Sequence, residues 1–144
     1  MTDRYAVIGN PIGHSKSPFI HTAFARQTAQ DLSYVAIEAP LGGFAGCMEA
    51  FRREGGQGVN VTLPFKLDAC AYATDLAESA RLAGAANALK FAGDRAMAEN
   101  FDGIGLVNDI QRNLGFVVAG KRVLILGAGG AARGATLPIL RAGA

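Results

Sequence analysis

The sequence predicts an α/β fold, an open and mostly parallel sheet followed by the opening of a second α/β unit. Three observations carry this. Short apolar strands alternate with helical patterns of about ten residues along most of the chain, the spacing of βα units. Half of the 144 residues are hydrophobic and 18% are charged, enough to bury a substantial core. A continuous apolar run, Val123 to Leu126, feeds directly into the glycine turn "GAGGAARG" and a further helical pattern.

The elements follow in order. Tyr5–Ile8 is a short apolar strand ending at the turn signal "GNPIG". From Pro18 to Thr28, Ile20, Ala23, Phe24 and Gln27 keep helical spacing, with Ser17 as N-cap and Pro18 at the first helical position. Leu32–Ile37 is a second strand. From Gly42 to Glu54, Phe44, Cys47, Met48 and Phe51 share one helix face. In "GVNVTLPFK", Val59, Val61 and Leu63 alternate with Asn60 and Thr62, a strand that stops at Pro64, which has no N–H to donate. Helical pieces are expected over Phe65–Tyr72 and Asp75–Leu82, then a hairpin of Ala86–Ala92 and Arg95–Glu99 around Gly93–Asp94. Phe101–Leu114 reads as a helix with Ile104, Val107, Ile110 and Leu114 on one side. After it, Val123–Leu126 reads as a strand, and the helix beyond the glycine turn runs to Ala142. One strand and one helix cannot cover their own apolar faces. The expected organisation is therefore a first domain over 1–101 and, over 102–144, a linker helix with the start of a second domain.

Composition narrows the function classes. The formal net charge is +2, and Lys and Arg form no run, so nothing marks a nucleic-acid or membrane-surface partner. No segment approaches the length of a membrane span, and "MTDRYAVIGN" lacks the apolar stretch of a signal peptide. Cys47 and Cys70 have no metal-ligand spacing and read as reduced thiols, which fits a cytoplasmic setting with no metal site.

Four stretches hold polar side chains where ligand chemistry is done. In "HSKSPFIH", Ser15 and Ser17 place two hydroxyls at a helix start, a seat suited to a carboxylate. "NVTLPFK" puts Asn60, Thr62 and Lys66 where a strand runs out, the edge at which open α/β sheets bind ligands. In "AGAANAL", Asn87 is the one polar side chain of a small-residue run, either a turn Asn bonding backbone or a contact for a ligand hydroxyl. In "ENFDGIGL", Asp102 falls where the hairpin ends and a helix starts, a favourable place for a carboxylate. Gly127, Gly129 and Ala132 give G-x-G-x-x-A between strand and helix, the first turn of a Rossmann-like dinucleotide-binding unit.

Taken together and in this order, these motifs resemble the shikimate dehydrogenase family over essentially the whole chain. "GNPIGHSKSP" is similar to its paired-serine signature, "NVTLPFK" to its catalytic-lysine motif and "GAANAL" to its substrate-asparagine segment. "NFDG" is similar to its aspartate motif and "GAGGAARG" to its nucleotide loop. The resemblance implies an NADP-dependent oxidoreductase that interconverts 3-dehydroshikimate and shikimate on the route to chorismate and the aromatic amino acids. It implies Lys66 and Asp102 as the catalytic pair. Ser15 and Ser17 would hold the substrate carboxylate, with Asn60, Thr62 and Asn87 on ring hydroxyls. Gly127, Ala128, Gly129, Gly130 and Ala131 would form the NADP turn. The implied partners are the small-molecule substrate and, as a candidate, a second copy of the chain.

Two positions depart from the family pattern: Phe101 and Ala88 stand where the family usually has threonine. Quinate/shikimate dehydrogenase is the neighbouring reading, decided near Ser15 and Ser17, because quinate carries an extra hydroxyl beside its carboxylate. A shikimate-binding module without turnover is the reading of a different class, and the expectation for the 144-residue chain by itself is poor NADP binding and no detectable turnover.

Overall fold

The computed structural model describes residues 2–144. Six strands, β1 (Asp3–Gly9), β2 (Leu32–Glu38), β3 (Gly56–Val61), β4 (Asp75–Leu76), β5 (Ala88–Ala92) and β6 (Arg95–Glu99), form one sheet in the order β2-β1-β3-β5-β6-β4. β1 pairs parallel with β2 and β3, and β4 parallel with β6; β5 alone runs antiparallel to its neighbours. The mixed, mostly parallel α/β sheet agrees with the sequence reading.

Strand alternation separates two faces. Ala6 and Ile8 of β1, Val59 and Val61 of β3, Leu89 and Phe91 of β5, and Ala96 and Ala98 of β6 enter the main core. Against them pack helices α2 (Phe44–Arg53), α3 (Lys66–Tyr72) and α4 (Glu78–Ala83), through Phe44, Met48, Phe51, Ala69 and Ala80. The expected face of α2 is thus the buried one. On the opposite sheet face lies α1 (Ser17–Gln27), where the His21 ring stacks on Tyr34 of β2 with centroids 4.2 Å apart.

A second, smaller core is separate from the first. Val107 of α5 (Asp102–Asn108), Val118, and Ala135 and Ile139 of α6 (Gly130–Arg141) form it. The region after α5 is where the expectations need correcting. The helix does not continue regularly to Leu114: after Asn108 a π-helical turn spans Asp109–Asn113. Its wider winding breaks the regular helical spacing, and Leu114 ends up exposed, as does Ile104 upstream. Val123–Leu126 pairs with no strand among the described residues and is not a ladder strand; Leu124 and Leu126 are exposed.

Two smaller corrections concern α4 and α1. Asp75 does not open a helix: Asp75–Leu76 pairs with Met97 and Ala98 of β6, and α4 begins only at Glu78. An external ion pair holds this short strand, with Arg95 Nη2 and Nε donating to the two Asp75 carboxylate oxygens at 2.7 and 3.0 Å. At the start of α1, Lys16 is the N-cap and Ser17 is already helical, with Pro18 behind it. The hydroxyl that serves the free helix donor belongs to Ser15, whose Oγ accepts the Ser17 N–H at 3.2 Å.

The Arg95 guanidinium, helped by the Thr74 hydroxyl, holds the Asp75 carboxyl down to about 2 from its ordinary 3.8. A depressed carboxylate stabilises the fold above its unfolded pKa and loses that contribution as pH falls through the folded one. The stability difference between the parent and Asp75→Asn should therefore be constant above about pH 5 and shrink between about pH 4 and pH 2. Chemical denaturation across that range measures it, and a difference constant down to pH 2 contradicts the assignment.

Candidate active site

β1 and β3 end at one edge of the sheet, and β6, parallel to β3 through the shared neighbour β5, ends there too. Antiparallel β5 begins at that edge. The sequence stretches singled out above follow or precede these ends: Ser15 and Ser17 after β1, Thr62 and Lys66 after β3, Asn87 before β5 and Asp102 after β6. Topology thus gathers residues far apart in sequence at the carboxyl ends of parallel strands, where ligands of open α/β sheets lie.

Short backbone bonds fix the turn from β3 into α3. The Thr62 N–H donates to Ile8 O at 3.0 Å, and the Phe65 N–H to Thr62 O at 3.0 Å. The Lys66 carbonyl accepts the Ala86 N–H at 2.8 Å, and the Asn87 carbonyl accepts the Val61 N–H at 2.8 Å. Asn87 N–H in turn donates to Glu99 O at 3.0 Å. The three segments carrying Lys66, Asn87 and Asp102 are therefore cross-linked through their main chains.

Their side chains meet. Lys66 Nζ donates to Asp102 Oδ2 at 2.5 Å, and Asn87 Nδ2 donates to Asp102 Oδ1 at 2.7 Å. Asn87 Oδ1 accepts the Phe101 N–H at 2.9 Å. Both carboxylate oxygens of Asp102 and both ends of the Asn87 amide are thereby engaged. The Lys66 and Asp102 side chains are 18% and 32% exposed, so the charge-assisted bond is partly shielded from water and salt yet open on one side. A cationic nitrogen at the first turn of a helix opposes the helix dipole, and the carboxylate offsets that.

Asn60 lies on the face opposite the main core. Tyr34 Oη donates to Asn60 Oδ1 at 2.6 Å, which leaves the amide N–H groups as the face Asn60 can offer a ligand. Burial pushes the Tyr34 phenol well up, so it remains a donor, and burial pushes the stacked His21 imidazole down. Nothing local in the sequence marks Tyr34 or His21; only the β1–β2–β3 register brings Tyr34 beside Asn60. A cavity of about 380 Å³ next to them includes Tyr34, Asn60 and Lys90 in its lining but neither Lys66 nor Asp102. Ser15, Ser17 and Thr62 are half-buried at the same sheet edge. Of the two departures, Phe101 is half exposed beside Asp102 and Ala88 pairs with Asn60 and Glu99 in the sheet.

The glycine turn precedes α6. Gly127 has φ +120°, a conformation open to glycine, and a Cβ at Gly127 or Gly129 would meet nothing within 4 Å. The N-terminus of the twelve-residue α6 therefore faces open space with unpaired N–H groups, chemistry that fits a pyrophosphate.

Fold and site together define a ligand-binding α/β domain with a lysine–carboxylate pair at its strand ends, running into a dinucleotide-type turn. The profile of the shikimate dehydrogenase substrate binding domain matches residues 7–89. The chain belongs to the shikimate dehydrogenase family. A shikimate dehydrogenase (NADP(+)) of Herminiimonas arsenicoxydans is 61% identical over 140 residues, covering 97% of this chain and 51% of the relative. Among solved structures, an Ael1 enzyme from Pseudomonas putida superposes with a TM-score of 0.94 at 58% identity, over 99% of this chain and 52% of that one. The shikimate 5-dehydrogenase of Thermus thermophilus, in complex with NADP(H) and shikimate, gives 0.90 at 33% identity, over 99% and 53%. The chain spans about half the length of these relatives.

Proposed function

We propose that the protein to which this chain belongs is an NADP-dependent shikimate dehydrogenase, and that Lys66 and Asp102 form its proton-transfer pair. The observation that carries the reading is the 2.5 Å contact of Lys66 Nζ with Asp102 Oδ2, braced by Asn87 at the ends of β3, β5 and β6. Oxidising an alcohol removes a hydride from carbon and a proton from oxygen, so a group able to take that proton must lie within hydrogen-bond reach of the hydroxyl. Lys66 Nζ as the neutral amine is that group: it takes the hydroxyl proton and becomes the ammonium that Asp102 directs and whose charge Asp102 compensates. The proton passes to water at the open side of the site before the next turnover. In the reverse direction the same nitrogen returns the proton to the carbonyl oxygen. Bound NADP supplies the hydride acceptor, and Gly127, Ala128, Gly129, Gly130 and Ala131 would hold its pyrophosphate.

Ser15 and Ser17 receive the substrate carboxylate, and Asn60, Thr62 and Asn87 its ring hydroxyls. Asn87 acts through one remaining N–H, since its amide already holds Asp102 and Phe101. The boundary near 101 is supported by the separate small core that α5 and α6 share. A cytoplasmic setting agrees with the unpaired thiols Cys47 and Cys70, and a second copy of the chain would meet the open sheet edge at β2.

Steady-state assays of the full-length protein with shikimate or quinate, and NADP or NAD, test the reading. NADPH formation with shikimate is expected. Turnover only with quinate moves the assignment to the neighbouring activity, and binding of shikimate without turnover moves it to a binding module. In the same assay, Ser15→Ala with Ser17→Ala should raise KM for shikimate by about 100-fold or more, since two hydrogen bonds to a charged group are lost and each is worth about 1.5–3 kcal/mol. The carboxylate is remote from the reacting bond, so kcat should fall less than about threefold. An unchanged KM would assign both serines to the fold alone.

A further inference from the structure

Asn100 is the one buried polar side chain among the described residues, 5% exposed, and no ligand role falls to it. Its Nδ2 donates to Ala85 O at 3.0 Å, its Oδ1 accepts the Asp102 N–H at 3.1 Å, and its own N–H donates to Ser79 Oγ at 3.1 Å. It therefore joins α4, the loop leading to Asn87 and the first residue of α5. The amide has one workable orientation. Flipped, it would set N–H against N–H at Asp102 and oxygen against oxygen at Ala85, leaving buried polar groups unpaired.

The clamp is backed by α6. A Cβ at Gly134 would lie 3.0 Å from both Nδ2 and Oδ1 of Asn100, and one at Gly103 would run into the Gly134 carbonyl and the Pro138 ring. The helix that follows the Gly127–Ala131 turn thus rests directly on the residue that holds the Asp102 main chain.

We propose that Asn100 is a positioning residue: its buried amide clamps the Ala85 carbonyl to the Asp102 N–H, with α6 seated against it at Gly134, and thereby aims the Asp102 carboxylate at Lys66. The inference rests on the reading of Lys66 and Asp102 as the reacting pair. Asn100 bonds Ser79, Ala85 and the Asp102 main chain, and it bears on the pair through the Asp102 main chain. A displacement of about 1 Å in such a group can cost on the order of 10²-fold in rate.

The test is a double-mutant cycle in the full-length protein, with shikimate and NADP as substrates. Asn100→Ala should lower kcat roughly 10- to 100-fold while KM for shikimate changes less than about threefold. In the Asp102→Asn background, where no carboxylate remains to be aimed, the same change should cost less than about twofold, because residues acting through one another are not additive. Gly134→Ala, which adds helix propensity to α6 but presses a methyl on the amide, should show the same coupling, and it carries the comparison if Asn100→Ala does not fold. Equal losses in the two backgrounds, or a rise in KM without a fall in kcat, would overturn the inference and leave the reading of the pair intact. A parent protein without shikimate turnover overturns both.

Discussion

Lys66→Ala in the full-length protein should lower kcat with shikimate by about 10²–10⁴-fold, the usual effect of removing a positioned proton-transfer group. The fold should survive. The Lys66 side chain is outside both hydrophobic cores, and its carbonyl, which accepts the Ala86 N–H, is untouched by the substitution. The loss should appear equally in kcat and kcat/KM, because the contact matters as the proton moves rather than when the ring binds. A variant with more than about half the parent kcat and an unchanged melting point would return Lys66 to an ordinary solvated lysine.

The residue beside it predicts the largest loss of stability. Phe65 is 1% exposed, the largest fully buried side chain of the main core, and its ring lies 5.6 Å from that of Phe44 on α2. Phe65→Ala removes most of the ring from a packed interior and leaves a cavity, which typically costs about 3–5 kcal/mol. Urea unfolding should show this as a lower midpoint with an unchanged slope. Phe65 also stands at the N-cap of α3, so loosening it should disturb the helix that presents Lys66. A loss below about 1 kcal/mol would mean that α3 is held by other contacts.

Much of this arrangement was legible in the sequence because local chemistry and tertiary structure agree. The alternation in "GVNVTLPFK" put Val59 and Val61 in the core and Lys66 past a proline, and the helical spacing of Phe44, Met48 and Phe51 named the buried face of α2. Leu63, read as the third inward residue, instead lies beyond the end of β3 at Val61 and is 73% exposed. Motif order in the chain also named the side chains that the sheet edge brings together around Asp102. What was illegible depends on partners distant in sequence. Val123–Leu126 has every local mark of a strand, yet a strand exists only with a neighbour to bond. Asp75 looked helical because its pairing with Met97 is set by the register of β6. Ser17 next to Pro18 carried the usual marks of a cap, while the structure gives that task to Ser15 two residues earlier. Asn100 had a readable sign, an Asn two residues before a helix-starting Asp whose N–H it can accept. Tyr34 had none, since its bond to Asn60 crosses β1.

The most direct measurement is a crystal structure of the full-length protein with shikimate bound. The account predicts one ring hydroxyl within hydrogen-bond reach of Lys66 Nζ, about 2.6–3.2 Å, with the carboxylate on Ser15 and Ser17 and Asp102 still bonded to the lysine. A ring seated instead in the cavity beside Tyr34 and Lys90, with no hydroxyl within about 4 Å of Lys66, would contradict it.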